Sequence, residues 1–80
     1  MPDPVRTRAT IGYQLDRSAT VSIRVYDVNG RLVSTLLDHV TRPAGHGTVE
    51  LDAGTLASGV YFLKMESQQR AVTRKITIVK

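Results

Sequence analysis

The chain has no cysteine and no tryptophan, and one phenylalanine among its 80 residues. Without cysteine there is no disulfide staple and no thiolate metal site. The redox compartment stays open, because such a chain suits the cytosol and also suits passage through an oxidising space without mispairing. No apolar run comes near the roughly 20 residues that cross a bilayer as a helix. Met1-Pro2-Asp3-Pro4 has no basic segment followed by a hydrophobic one, so it does not read as a secretory signal peptide. An exported chain of this kind is expected to be a piece of something longer, with its signal upstream. Aromatic residues make up only 5%, too few for the interleaved stacking surfaces that hold single-stranded nucleic acid. The formal charge of +4 favours acidic partners. The basic side chains, however, are scattered from Arg6 to Lys80 and form no block, so nucleic acid is not an expected partner.

What the chain does have is a fast strand-turn-strand rhythm. Val21, Ile23 and Val25 alternate with Ser22, Arg24 and Tyr26, the period-2 pattern of a strand with one buried face. Asn29-Gly30 follows, a pair that readily takes positive φ in a type I′ hairpin turn. Leu32 and Val33 then restart the apolar run. The same logic predicts a strand over Arg8–Leu15 with Ile11, Tyr13 and Leu15 inward, and one over Thr20–Asp27. It predicts a third over Arg31–Leu37 with Leu32 and Leu36 inward. Asp38–Gly47, with His39, Pro43, Gly45 and Gly47, reads as a loop. A short strand is expected at Thr48–Asp52 around Val49 and Leu51, then a helical turn over Ala53–Ser58 plugged by Leu56.

The strand expected at Gly59–Glu66 places Tyr61, Leu63 and Met65 on one face. Ser67-Gln68-Gln69 turns the chain. Arg70–Lys80 forms the last strand, with Ile76 and Ile78 inward and a break near Thr73-Arg74 dividing it in two. Turn signals recur about every eight to twelve residues, and no useful helical period appears, which predicts an all-β sandwich. A chain this short holds one core. Met1 to Thr7 reads as a lead-in and residues 8–80 as the domain.

The residues offer little chemistry. His39 and His46 stand without an oriented base or a nucleophile beside them. No Gly-x-Ser-x-Gly surrounds a serine. Asp27-x-Asn29-Gly30 opens like a calcium loop, but its glycine falls too early and no glutamate follows at the required distance. Glu50 and Asp52 point outward from one strand and have no sugar cleft between them. No catalytic residue, cofactor or metal is therefore expected. Glycan binding is a rival reading, with Tyr26 and Phe62 as the outward aromatics. A purely structural accessory module beside an enzyme is another.

Five segments in order carry a resemblance to a known family: Thr10-Ile-Gly-Tyr-Gln-Leu15, Val25-Tyr-Asp-Val-Asn-Gly-Arg-Leu-Val33, Ala44-Gly-His46, Leu56-Ala-Ser-Gly-Val-Tyr-Phe62 and Thr73-Arg-Lys-Ile-Thr-Ile-Val-Lys80. The chain resembles the C-terminal sorting domain of type IX secretion cargo, which is similar to the immunoglobulin-like domain of the flagellar hook-capping protein. It departs from the family at Asp3-Pro4-Val5, where the family often has Asn-Pro and an aromatic, and at Leu51, where an aromatic is common. The resemblance implies a seven-stranded antiparallel immunoglobulin-like β-sandwich at the end of a larger secreted protein. It implies passage through the periplasm, then release or attachment at the cell surface. The implied partners are an outer-membrane shuttle protein and a sortase, with anionic lipopolysaccharide joined to the cargo. It further implies partner binding through Thr73, Arg74, Lys75, Ile76, Thr77, Ile78, Val79 and Lys80, with Gly30 and Gly59 as structural turn glycines. The isolated domain is expected to be a monomer.

Overall fold

The computed structural model describes residues 8–54, 56–68 and 70–79. The lead-in and Lys80 lie outside the described residues. Among these there is no helix, and there are six strands: β1 (Arg8–Leu15), β2 (Ala19–Tyr26), β3 (Leu32–Arg42), β4 (Gly45–Asp52), β5 (Gly59–Glu66) and β6 (Ala71–Ile78). They form two antiparallel sheets. β1 pairs with β4, and the other four lie in the order β3-β2-β5-β6. The count is six rather than seven because the last strand does not break. Thr73 and Arg74 stay in register with Lys64 and Leu63 of β5, so the ladder runs straight through the point where a division was expected.

Alternation predicted β1 and β5 to the residue. It failed in β3, for an identifiable reason. β3 brings 11 residues against the eight of β2, and the register shifts between Val21 and Ile23, between Ile23 and Arg24, and between Val25 and Tyr26. Each such irregularity moves the following side chains toward the opposite face. Leu37 is therefore in the core at 8% exposure with its neighbour Leu36 packed against it, while Leu32, expected inward, is 53% exposed. The expected loop at residues 38–47 is mostly strand. β3 continues to Arg42 and β4 begins at Gly45, so only Pro43 and Ala44 connect them. His39 and His46 thus sit on strands. At the first register shift His39 has φ 54°, and its amide donates to the buried Ser22 hydroxyl at 3.1 Å. That bond satisfies a polar group that would otherwise be costly to bury.

The hairpin turn also differs from its expected type. Gly30 has φ 81°, but Asn29 is not among the residues with positive φ, whereas a type I′ turn needs both. The amide of Gly30 donates to the Asp27 carbonyl at 3.0 Å, and the Asp27 amide donates to the Arg31 carbonyl at 3.0 Å. The Asp27 carboxylate accepts from the amides of Asn29 at 2.9 Å and Arg31 at 3.0 Å. An aspartate that ties down its own turn backbone selects a three-residue loop closed by a left-handed glycine. Past β4, the expected helical turn is a single reverse turn, with the Leu56 amide on the Ala53 carbonyl at 3.1 Å. Leu56 plugs the core as expected, at 9% exposure.

One apolar cluster draws on both sheets. Leu15, Val49 and Leu51 come from the β1–β4 pair, and Val21, Ile23, Val25, Leu37, Tyr61, Leu63 and Ile78 from the other sheet. Ile23, Leu51, Ile78, Val21 and Val25 are the largest fully buried side chains. Truncating a fully buried Ile loses transfer energy and leaves a cavity. Ile78→Ala is expected to lower unfolding free energy by about 2–5 kcal/mol, whereas Leu32→Ala changes it by about 0.5 kcal/mol or less, both read from urea melts. Removing residues 75–80 takes away Ile76 and Ile78 together. The shortened chain is expected to lose its cooperative thermal transition, and a sharp transition retained at the original temperature would contradict this placement of the core.

Candidate docking surface at the terminal strand

The residues singled out for partner binding fall on β6 and just beyond it. β6 is an edge strand, paired only with β5 among the described residues. Its side chains divide by parity. Val72, Arg74, Ile76 and Ile78 stand opposite Met65, Leu63, Tyr61 and Gly59, while Thr73, Lys75 and Thr77 stand opposite Lys64, Phe62 and Val60 on the far face. Ile78 is fully buried and Ile76 packs against the core. These two anchor the C-terminal half. Ala71 through Lys75 are exposed, as is Thr77, and Val79 is 43% exposed.

A partner at β6 would thus meet Thr73, Lys75, Thr77 and Val79, together with Arg74 and the unpaired backbone edge. It would not meet Ile78, whose side chain is committed to the domain's own core. Neither Arg74 nor Lys75 has an ion pair among the described residues. The charged side chains that do pair are Arg24 with Asp38 at 3.0 Å and with Glu66 at 3.8 Å, Lys64 with Glu66 at 3.9 Å, and His39 with Asp38 at 2.9 Å. These pairs lie at the surface, where each contributes about 1 kcal/mol or less.

Of the two structural glycines, Gly30 lies in the β2–β3 turn and Gly59 in the strand behind this edge. Gly30 at φ 81° and Gly59 at φ 154° both occupy backbone conformations that side-chain-bearing residues rarely adopt. Gly59 sits at the entry to β5, directly opposite Ile78, so its geometry sets the register against which β6 docks. Near that entry the Tyr61 hydroxyl donates to the Ala57 carbonyl at 2.7 Å. Alternation places Tyr61 in the core but does not reveal this bond, since nothing in a period-2 pattern reports where a hydroxyl finds its acceptor.

Folding does bring Ser22, His39 and Asp38 near one another, a combination that distance along the chain concealed. It does not assemble a nucleophile and base. Ser22 is 5% exposed and is held by the backbone amide of His39, while the imidazole points outward at 74% side-chain exposure. General-base catalysis needs the ring nitrogen at the hydroxyl. Among the described residues no group of three or more His, Cys, Asp or Glu is placed to hold a metal ion. Tyr26 and Phe62, the two outward aromatics, are direct cross-strand neighbours.

The arrangement defines an all-β module that presents a basic edge strand in place of a reactive cleft. The family model for the secretion system C-terminal sorting domain matches residues 1–79. The chain belongs to that family, and the domain is a sorting signal for type IX secretion, a class that is not enzymatic. Membership implies contact with the secretion machinery and export to the cell surface or beyond. Comparison with curated proteins and with solved structures returned no match.

Two substitutions test the scaffold. Gly30→Ala is expected to destabilise the domain by about 1 kcal/mol. Gly59→Ala is expected to cost about 1–3 kcal/mol, and more of the loss should appear as faster amide exchange in β6. Unchanged midpoints in both variants would show that the turns tolerate a Cβ.

Proposed function

We propose that residues 8–80 form the terminal sorting module of a larger secreted protein, which directs its attached cargo across the outer membrane for release or surface attachment. On this reading the cargo reaches the periplasm first. An outer-membrane shuttle protein then recognises the module through Thr73 to Lys80, and a sortase removes it, with the cargo often joined to anionic lipopolysaccharide. The observation that carries the reading is the family match over nearly the whole chain together with the position of β6 at a sheet edge. An edge with unpaired amides and carbonyls is suited to strand addition by a partner. Arg74 and Lys75 on it discourage pairing between copies and attract anionic surfaces.

The module is best read as an immunoglobulin-like sandwich. Two antiparallel sheets sharing one core support that reading. So does the Tyr61 hydroxyl bonded four residues upstream near the start of β5, a feature of the corner that closes such sandwiches. Glycan binding has one observation in its favour, the adjacency of Tyr26 and Phe62. It predicts retardation in polysaccharide affinity gels that Tyr26→Ala abolishes.

The secretion reading is tested by fusing the chain behind a signal peptide and a fluorescent reporter, in a bacterium that has the type IX machinery. The reporter is expected at the cell surface or in the medium. Reporter held in the periplasm, with the fusion intact and folded, would overturn the proposal.

A further inference from the structure

The two sheets differ in width. One sheet has two strands and the other four, and both contribute to one core, so at about 4.8 Å per strand the narrower sheet leaves part of the wider sheet's core-side face uncovered. The uncovered part is a groove of about 270 Å³ between β1 and β6. Its wall is the unbroken run Ile11 to Leu15 of β1. Successive residues of a strand point to opposite faces, so a lining run of both parities means that β1 offers its edge. That edge has no strand beside it among the described residues. The floor includes Met65, Val72 and Arg74, which belong to the core-side parity of β5 and β6. Val72 is 40% exposed there. An apolar floor beside a free strand edge is the geometry of strand addition.

Charge narrows the occupant. Arg17, Arg70 and Arg74 line the groove against a single acid, Asp16. None of the three guanidiniums has an ion pair among the described residues. A second copy of this chain carries the same cations and a net charge of +4, and an inward-pointing charge on an edge strand opposes self-pairing. We propose that the groove accepts an extended segment of a partner protein as an additional strand along the free edge of β1. Apolar side chains of that segment lie over Met65 and Val72, and alternating carboxylates meet the three guanidiniums. The proposal rests on the secretion reading only for the source of the segment, a component of the export machinery.

The probe is a blocked, fluorescein-labelled octapeptide alternating glutamate and valine. It is expected to bind the 80-residue chain saturably in anisotropy titrations. Amide shift changes should centre on Ile11 to Leu15 and Val72 to Arg74. The double variant Arg70→Glu/Arg74→Glu, both sites being exposed, should weaken binding roughly tenfold or more, and Arg17→Glu alone provides a second variant should the first not fold. A lysine-valine peptide, or one N-methylated at alternate amides, should not bind. Equal binding of the glutamate and lysine peptides, shift changes confined to the Tyr26–Phe62 face, or a dimer that the peptide dissociates would each overturn the proposal. Absence of saturable binding to the folded wild-type chain overturns the groove alone. Reporter left in the periplasm by the wild-type sequence overturns the secretion reading alone.

Discussion

Ile78 has no solvent exposure, and it lies in β6, the terminal strand of this fold. Its burial closes the shared core from one side and fixes β6 against β5 opposite Gly59. The same strand leaves its other backbone edge unpaired among the described residues. The last strand is therefore held on one side by a hydrophobic anchor and a ladder, and is available on the other. A domain with no cysteine has no covalent means of securing its end, so the anchor has to be apolar burial. Within β6, Ile76 and Ile78 belong to the core, while Thr73, Lys75 and Thr77 stand on the opposite face.

On the proposed reading, the division resolves a conflict built into a docking segment on the last strand. A segment that docks a partner needs exposed surface and free backbone groups, while a segment that ends a small domain needs to be pinned. Alternation lets eight residues meet both needs: Ile76 and Ile78 of one parity enter the core, while Thr73, Lys75 and Thr77 of the other stay exposed. Basic side chains at the exposed positions protect the edge from other copies of itself. The groove beside β1 extends the same theme, since it too combines an open strand edge with unpaired cations.

Much of this was legible in the residues, and what was not shares one cause. β1 and β5 followed their alternation to the last residue, because each holds a single register against its partners. β3 did not, because register shifts depend on pairing with β2, and its own sequence shows only leucines at 32, 36 and 37. Gly45 and Gly47 looked like loop punctuation, yet both belong to β4. Asn29-Gly30 marked the turn, but the Asp27 carboxylate decided its type. The candidate strand was readable from a match in sequence order. A place at the rim is also expected of a last strand carrying Arg74 and Lys75, but its neighbour was not readable, since no local pattern states which strands pair. The groove was equally hidden, because Arg17, Arg70 and Arg74 converge only after folding.

Amide hydrogen exchange across β6 in the isolated domain tests the central claim most directly. A strand held on one side and open on the other has alternate amides inside the β5 ladder and alternate amides facing solvent. The account predicts alternating protection from Ala71 to Ile78, with every second amide exchanging near the rate of an unstructured chain. Uniform protection along the strand would mean that both its edges are sealed, and would contradict a terminal strand free to receive a partner.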